Sequence, residues 1–364
     1  MTEFSSNRSS GGIMLRHRET ILLSLLLLVV PLVTSGMTLD AQAQVQPVYE
    51  VAVSVASLAG IVEGIGGQLI TVSILMEQEA DPHSFTVTPA VLAIAEAADL
   101  LVFTGHFQWE EDIANETATP FITLHDEIAL ETYEDYGAAL SALPGGIELE
   151  GQRGNPHAYW LLPRNAIAIA NATRAALSTL NVTLSESWNS HFASFVQKMS
   201  DLQSLIASLD ETQGFSNMRA VAVFPSEIYV AEAFGIKCDT VLVVESITIS
   251  GAKLLEVQDA LRNGTVQLII GSDVSQFQAG GEFAYQLQAD YGGTLIWWKT
   301  LFFAEMDYFA LMTFNLGALA SGLEGRSGST GSETVNVALV VLVASLGIVV
   351  TIETIILIVR ARAE

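Results

Sequence analysis

The segment ADPHSFTVTPAVLAIAEAADLLVFTG, residues 80–105, places His83 in a proline-containing turn before an amphipathic helix and an apolar strand. The preceding LITVSILM, residues 69–76, has the composition of a buried strand, and DLLVFTG, residues 99–105, predicts the next one. Strand, helix and strand in this order are typical of a parallel sheet. Because ligands bind at the carboxyl ends of the strands in open α/β sheets, His83 lies where a binding site is expected.

The same alternation runs through most of the chain. Residues 48–67 predict a first strand and helix, and the second half predicts strands at 219–224, 240–244, 266–271 and 294–298 separated by helices. Between the halves, apolar residues recur with helical period from 184 to 209, which predicts one long helix. We therefore predict the α/β fold class, with two doubly wound parallel-sheet lobes joined by one long helix.

Both ends of the sequence are strongly apolar. The run at 21–33 follows basic residues and precedes Ala41 and Ala43, a pattern typical of a signal peptide. Residues 335–359 are long and apolar enough for a C-terminal transmembrane helix, and the arginines that follow predict a cytoplasmic end. These features predict a single-pass protein of the cell membrane with its domain on the extracytoplasmic side.

The predicted organisation divides the sequence into seven segments. They are a signal peptide at 1–43, an N-terminal lobe at 44–183, a linking helix at 184–210, a C-terminal lobe at 211–323, a flexible linker at 324–334, the transmembrane helix at 335–359 and a cytoplasmic tail at 360–364.

Charge and motifs exclude several functions. The chain has 15 basic and 40 acidic residues and a formal net charge of −25, which argues against nucleic-acid partners. A nucleophile elbow, a phosphate-binding loop and the H-E-x-x-H pattern are all absent from the sequence, so we predict that the protein is not an enzyme. The acidic WEED at 109–112 is expected to be solvated.

Three histidines stand out as candidate metal ligands. His157 lies in NPHAYWLLPRNAIAIA, residues 155–170, a turn like that of His83, and His106 follows the third predicted strand in TGHFQW. Three imidazoles and a water form a complete ligand set for zinc. His191, on the predicted long helix, is expected to be exposed.

Three motifs in order resemble the zinc and manganese solute-binding proteins of ABC importers. They are residues 80–105, residues 155–170, and YFALMTFNLGALASGL, residues 308–323, with Met312 and Asn315. The resemblance implies two lobes joined by one long helix with the metal between them. It also implies that His83 and His157 are the N-lobe ligands and that an ABC permease and its ATPase are partners.

The C-terminal half departs from the family pattern at two positions. Phe224, in FPSEIY, takes the place of the third ligand, and Lys299, in WKTL, takes the place of a carboxylate. A rebuilt site would add His106, or an oxygen from Glu227, Glu245, Asp273 or Glu305, although each of these carboxylates is expected on the solvated surface. Two alternatives stay open: an anion or an organic metal chelate held opposite Lys299, and a family descendant that binds no ion and serves as a surface scaffold or adhesin.

The histidine-rich set favours Zn²⁺, with Mn²⁺ as the alternative if carboxylates take part. The sequence therefore predicts a membrane-anchored metal-binding protein with His83, His157 and His106 as its ligands.

Overall fold

A computed structural model describes residues 49–76, 82–147, 153–244, 247–302 and 306–324. The predicted signal peptide and transmembrane helix lie outside these residues. Within the described ranges, no helix has both the length and the hydropathy needed to cross a membrane.

The first sheet consists of five parallel strands in the order β2-β1-β3-β4-β5. The strands are β1 (Tyr49–Val55), β2 (Ile70–Met76), β3 (Leu100–Val102), β4 (Phe121–Thr123) and β5 (Glu131–Thr132). The helices of this half are α1 (Ala56–Gly66), α2 (Pro89–Ala97), α3 (Gln108–Glu116) and α4 (Pro163–Leu180). The β1 side chains from Val51 to Val55 are buried, which explains their apolar and small composition.

The second sheet has four parallel strands in the order β11-β10-β6-β7. The strands are β6 (Arg219–Ala222), β7 (Lys237–Val241), β10 (Leu268–Ser272) and β11 (Thr294–Trp298). A separate short antiparallel pair, β8 (Val243–Val244) and β9 (Ile247–Thr248), follows β7 in the sequence. The helices are α6 (Ile228–Ala233), α7 (Gly251–Arg262), α8 (Ala279–Tyr291) and α9 (Tyr308–Glu324). The prediction of two parallel sheets is confirmed.

Both sheets share one strand order, in which the second, first, third and fourth strands of each half lie side by side. In this order the second and third strands lie on opposite sides of the first strand. A crevice therefore opens at the carboxyl ends of the first and third strands. That crevice falls after β1 and β3 in one half, and after β6 and β10 in the other.

The long helix α5 spans Ser185–Gln213, which confirms the predicted helix and extends it by four residues beyond 209. Its buried residues recur at helical spacing: Trp188, Phe195, Met199, Leu202 and Ile206. Gly214, at φ 66°, ends the helix in the left-handed conformation that glycine adopts without strain. One hydrophobic cluster includes residues of this helix and of both sheets, so the helix is part of the core.

The prediction of an exposed His191 is wrong. The side chain is half-buried, and its Nδ1 lies 2.8 Å from the carbonyl oxygen of Ile65 at the end of α1. The histidine therefore ties the long helix to the first half of the molecule, because the close packing of α5 on α1 covers a position that sequence pattern assigns to the polar face.

Hydrogen bonds join the two halves beside the crevice. The Tyr229 hydroxyl accepts a hydrogen bond from the Ser141 amide at 2.9 Å and donates one to the carbonyl of Asn155. Glu232 accepts hydrogen bonds from the Ser141 hydroxyl at 2.7 Å and from Arg164 at 3.1 Å. The Tyr229 bonds are buried or partly buried, so they help to fix the distance between the two walls of the crevice.

Candidate metal site

Three imidazoles converge at the carboxyl ends of the N-terminal strands. One ligand nitrogen from each of His83, His106 and His157 lies within 4.8 Å of the others. The ring centroids are 4.4 Å apart for His106 and His157, 4.9 Å for His83 and His106, and 5.5 Å for His83 and His157. Tetrahedral zinc spaces its nitrogen ligands about 3.4 Å apart, so small side-chain rotations would bring these nitrogens to bonding distance.

His83 is placed by the short turn between β2 and α2. Pro82–Ser84 form a single 3₁₀ turn, and the buried Pro82 accepts a hydrogen bond through its carbonyl from the Trp109 indole at 3.0 Å. The His83 ring meets Phe107 edge to face, with centroids 5.4 Å apart. The hydrogen bond from Trp109 anchors the turn, and the exposed imidazole of His83 faces the crevice.

His157 is oriented by the buried side chain of Asn155. The Asn155 amide donates to the carbonyl of Pro225 at 2.9 Å, while its Oδ1 accepts from the His157 amide at 3.1 Å and lies 3.0 Å from the His157 Nδ1. Since this oxygen can only accept, Nδ1 carries the proton and Nε2 keeps a lone pair. Such an outer hydrogen bond is what fixes the tautomer of metal-binding histidines.

His106 lies in a loop that wraps around the carboxylate of Glu110. This carboxylate accepts hydrogen bonds from the amides of Thr104, His106 and Phe107 at 2.7, 3.1 and 3.2 Å, and from the Thr104 hydroxyl at 2.9 Å. Both ring nitrogens of His106 are buried and have no hydrogen-bond partner within the part of the chain that the structure describes. Buried polar atoms are almost always satisfied, so this ring is suited to an external ligand.

Burial controls the protonation of two of the histidines. It lowers the pKa of His106 to about 2, with further lowering by the neighbouring charges of His157 and His83. Burial, followed by the charge of His83, lowers the pKa of His157 to about 3. Both rings are therefore neutral at pH 7, which is the state that binds a metal ion.

The opposite wall of the crevice comes from the second half of the chain and is largely apolar. The cavity has a volume of about 620 Å³, and its far side includes Phe224, Val243, Val274, Phe283 and Leu301. Phe224 thus occupies the cavity wall, where the sequence comparison with the family placed a ligand.

Lys299 is not among the residues that line this cavity, whereas the next two residues are. The backbone of Lys299 is held by Asn315, whose side chain accepts from the Lys299 amide at 2.7 Å and donates to its carbonyl at 2.8 Å. Asn315 is buried and fixes the end of β11. Among the described residues, the cavity lining therefore contains no lysine opposite the histidines, which is the arrangement that the anion alternative requires.

Two of the four candidate carboxylates are buried, so the expectation that they lie on the solvated surface is wrong. Glu227 accepts hydrogen bonds from the Phe224 amide at 2.6 Å and the Ser275 hydroxyl at 3.0 Å. Asp273 accepts them from the amide and hydroxyl of Thr300, both at 2.9 Å. Neither lines the cavity, and both support its wall. Glu245 and Glu305 lie outside the described residues.

Sequence reasoning missed Glu110. The WEED stretch was expected to be solvated, but only its last two residues are exposed, and Glu110 is buried. The available signal was its position three residues after Phe107, at the start of α3, where a glutamate accepts from the free amides of a helix N-terminus.

Two α/β lobes joined by a long helix, with candidate metal ligands in the crevice between them, are the features of a metal-binding solute-binding protein. The sequence model of the family described as zinc-uptake complex component A, periplasmic (ZnuA), matches residues 51–322, and the chain belongs to this family. Comparison with curated protein sequences gives no match.

Solved structures support the fold. A crystal structure of ZnuA is 20% identical and superposes with a TM-score of 0.59, covering 75% of this chain and 97% of that one. A Mn-bound periplasmic metal-binding protein from Candidatus Liberibacter asiaticus is 21% identical, with a TM-score of 0.60 and coverage of 76% and 99%. The solute-binding protein FpvC from Pseudomonas aeruginosa in complex with Mn²⁺ is 16% identical, with a TM-score of 0.60 and the same coverage.

Proposed function

We propose that this protein is the extracytoplasmic solute-binding component of a zinc ABC importer and that His83, His106 and His157 hold the ion. The observation that carries the proposal is the convergence of three ligand nitrogens within 4.8 Å, one of them on a ring whose buried nitrogens have no partner among the described residues. A binding protein needs no catalytic group, and we propose no enzymatic activity.

Zinc is favoured over manganese by the ligand type. All three candidate ligands are imidazole nitrogens, and the described lining of the cavity contains no carboxylate. Imidazole suits zinc, while manganese prefers oxygen ligands. Manganese is the alternative, since both the Mn-bound periplasmic protein and FpvC named above contain it.

The ends of the sequence support a tethered form. We propose a signal peptide at 1–43, lobes at 44–183 and 211–323 around the helix at 184–210, a linker at 324–334, a membrane helix at 335–359 and a tail at 360–364. A tether would keep the loaded protein near an ABC permease and its ATPase, which we propose as its partners.

The test is a zinc titration of the metal-stripped protein by calorimetry. Wild type should bind one equivalent of zinc, and His106→Ala should weaken binding by at least a hundredfold because it removes one of three protein ligands. His125→Ala is the matched control, because His125 is exposed and lies outside the cluster. Equal zinc binding in His106→Ala and His125→Ala would refute the site. Absence of zinc binding in wild type would also refute it and would favour a surface scaffold or adhesin.

A further inference from the structure

The cavity beside the histidines is far larger than a metal ion requires. Its volume is about 620 Å³. Pockets that enclose small organic ligands measure about 300–1,000 Å³. A bare ion held by His83, His106 and His157 would leave most of this space to solvent.

The residues that line the cavity form a metal-binding side and an apolar side. The three imidazoles lie on one side, and the opposite side carries Phe224, Val243, Val274 and Phe283. Gly280 also lines this side, and a Cβ there would lie 2.9 Å from a ring carbon of Phe224. The Phe224 ring therefore lies close to the Gly280 backbone, and it presents an apolar surface suited to an aromatic or branched group.

Polar groups on the far side are few and individually placed. The hydroxyl oxygen of Ser226 is buried and has no hydrogen-bond partner within the described ranges, although its residue lines the cavity. Thr248 and Gln278 add hydrogen-bonding groups at the same wall. A few polar groups in an apolar pocket are what orients an organic ligand.

Charge indicates the sign of the ligand. A divalent ion with three neutral imidazoles carries a charge of about +2, and a tetrahedral ion keeps one open position. Apart from the histidines, the described residues that line the cavity include no ionisable side chain. A negatively charged donor atom in the open coordination position would offset the charge of the ion, which the described cavity wall does not offset.

We infer that the cavity takes the metal ion together with an organic anion, whose donor atom fills the open coordination position and whose aromatic or branched body lies against Phe224 and Phe283. The transported species is then a metal complex rather than a bare ion. This inference rests on the proposed metal site at the three histidines.

The test compares two hydroxamates that share one zinc-binding group. Benzohydroxamate and acetohydroxamate are titrated by calorimetry into the full-length protein loaded with one equivalent of zinc, and the ratio of their affinities is the readout. Because the ratio is taken on the same loaded protein, changes in zinc affinity cancel. We expect benzohydroxamate to bind at least tenfold more tightly.

A pair of variants locates the effect. Ala279→Trp places an indole in the cavity from an exposed position at the start of α8, and it should reduce the ratio to near one. Phe277→Trp is the control, since Phe277 is 79% exposed and does not line the cavity, and it should keep the wild-type ratio. Equal binding of both hydroxamates to zinc-loaded wild type, or a ratio unaffected by Ala279→Trp, would overturn this inference alone. Failure of wild type to bind zinc would overturn the proposed function, and this inference with it.

Discussion

Glu110 offers the most informative perturbation, because it links the fold to the position of a metal ligand. In Glu110→Ala, the amides of Thr104, His106 and Phe107 lose their shared acceptor. A buried donor without a partner costs about 1–3 kcal/mol. Ser54 lies 3.3 Å from the Thr104 amide and the Thr104 hydroxyl lies 3.2 Å from the His106 amide, so part of the loss is recovered. The expected destabilisation is about 3–5 kcal/mol.

The same change should weaken zinc binding without removing a ligand. The loop from Thr104 to Phe107 carries the His106 ring, and losing its anchor lets the ring leave the position facing His83 and His157. Removing the group that orients a metal ligand typically costs about 10–100-fold in affinity. Glu110→Gln keeps one acceptor oxygen and should fall between wild type and Glu110→Ala in both stability and affinity.

The assays are urea unfolding of the metal-free protein and zinc titration by calorimetry. Glu111→Ala is the matched control, because Glu111 is the next residue of the same helix, carries the same charge and is exposed. It should change the stability by less than about 0.5 kcal/mol. If Glu110→Ala matched Glu111→Ala in both measurements, the carboxylate would not anchor the loop and the reasoning would be refuted.

Three further predictions concern pH and the crevice. Burial raises the pKa of Glu227 to about 8 from 4.5, so its contribution to stability is complete below pH 4.5 and is lost progressively as the pH rises from 4.5 through 8. Glu227→Gln should therefore raise the free energy of unfolding at pH 7 by up to about 3 kcal/mol, with little effect at pH 4.5, as urea titrations would show. Because the lowered pKa values of His106 and His157 keep both rings neutral, zinc affinity should fall by at most about tenfold per pH unit between pH 6.5 and 5, and a steeper fall in competition titrations would contradict this. Tyr229→Phe leaves the Ser141 amide and the Asn155 carbonyl without their partner and should destabilise the protein by about 2–4 kcal/mol, and an unfolding curve equal to that of wild type would be the contrary result.

The sequence predicts the parts of the fold that depend on local pattern. Alternation of apolar strands and amphipathic helices indicates both sheets, and the helical period from 184 to 209 predicts α5. The strand β5 consists only of Glu131–Thr132, which is too short to show an alternation of apolar and polar residues. Its pairing with β4 depends on backbone hydrogen bonds, such as that from Tyr133 to Thr123 at 2.9 Å, which composition does not encode.

The candidate site is predictable in its ligands and not in its support. His83 lies in an Asp-Pro-His turn and His157 in an Asn-Pro-His turn, and His106 follows a strand on the same edge. Glu110, Glu227 and Asp273 are buried because of the loops that pack over them. Other acidic residues in similar sequence surroundings are exposed, so the sequence alone does not identify the buried ones. The volume of the cavity likewise depends on the distance between the lobes, which contacts such as that of Tyr229 with Asn155 determine.

The most direct test of the central claim counts the imidazoles around the bound ion. X-ray absorption spectra at the zinc edge of the full-length protein with one equivalent of zinc report the number of histidine ligands and their bond lengths. Our account predicts three imidazoles with zinc–nitrogen distances of about 2.0–2.1 Å, falling to two in His106→Ala. Two or fewer imidazoles in wild type, or a spectrum that His106→Ala leaves unchanged, would contradict it.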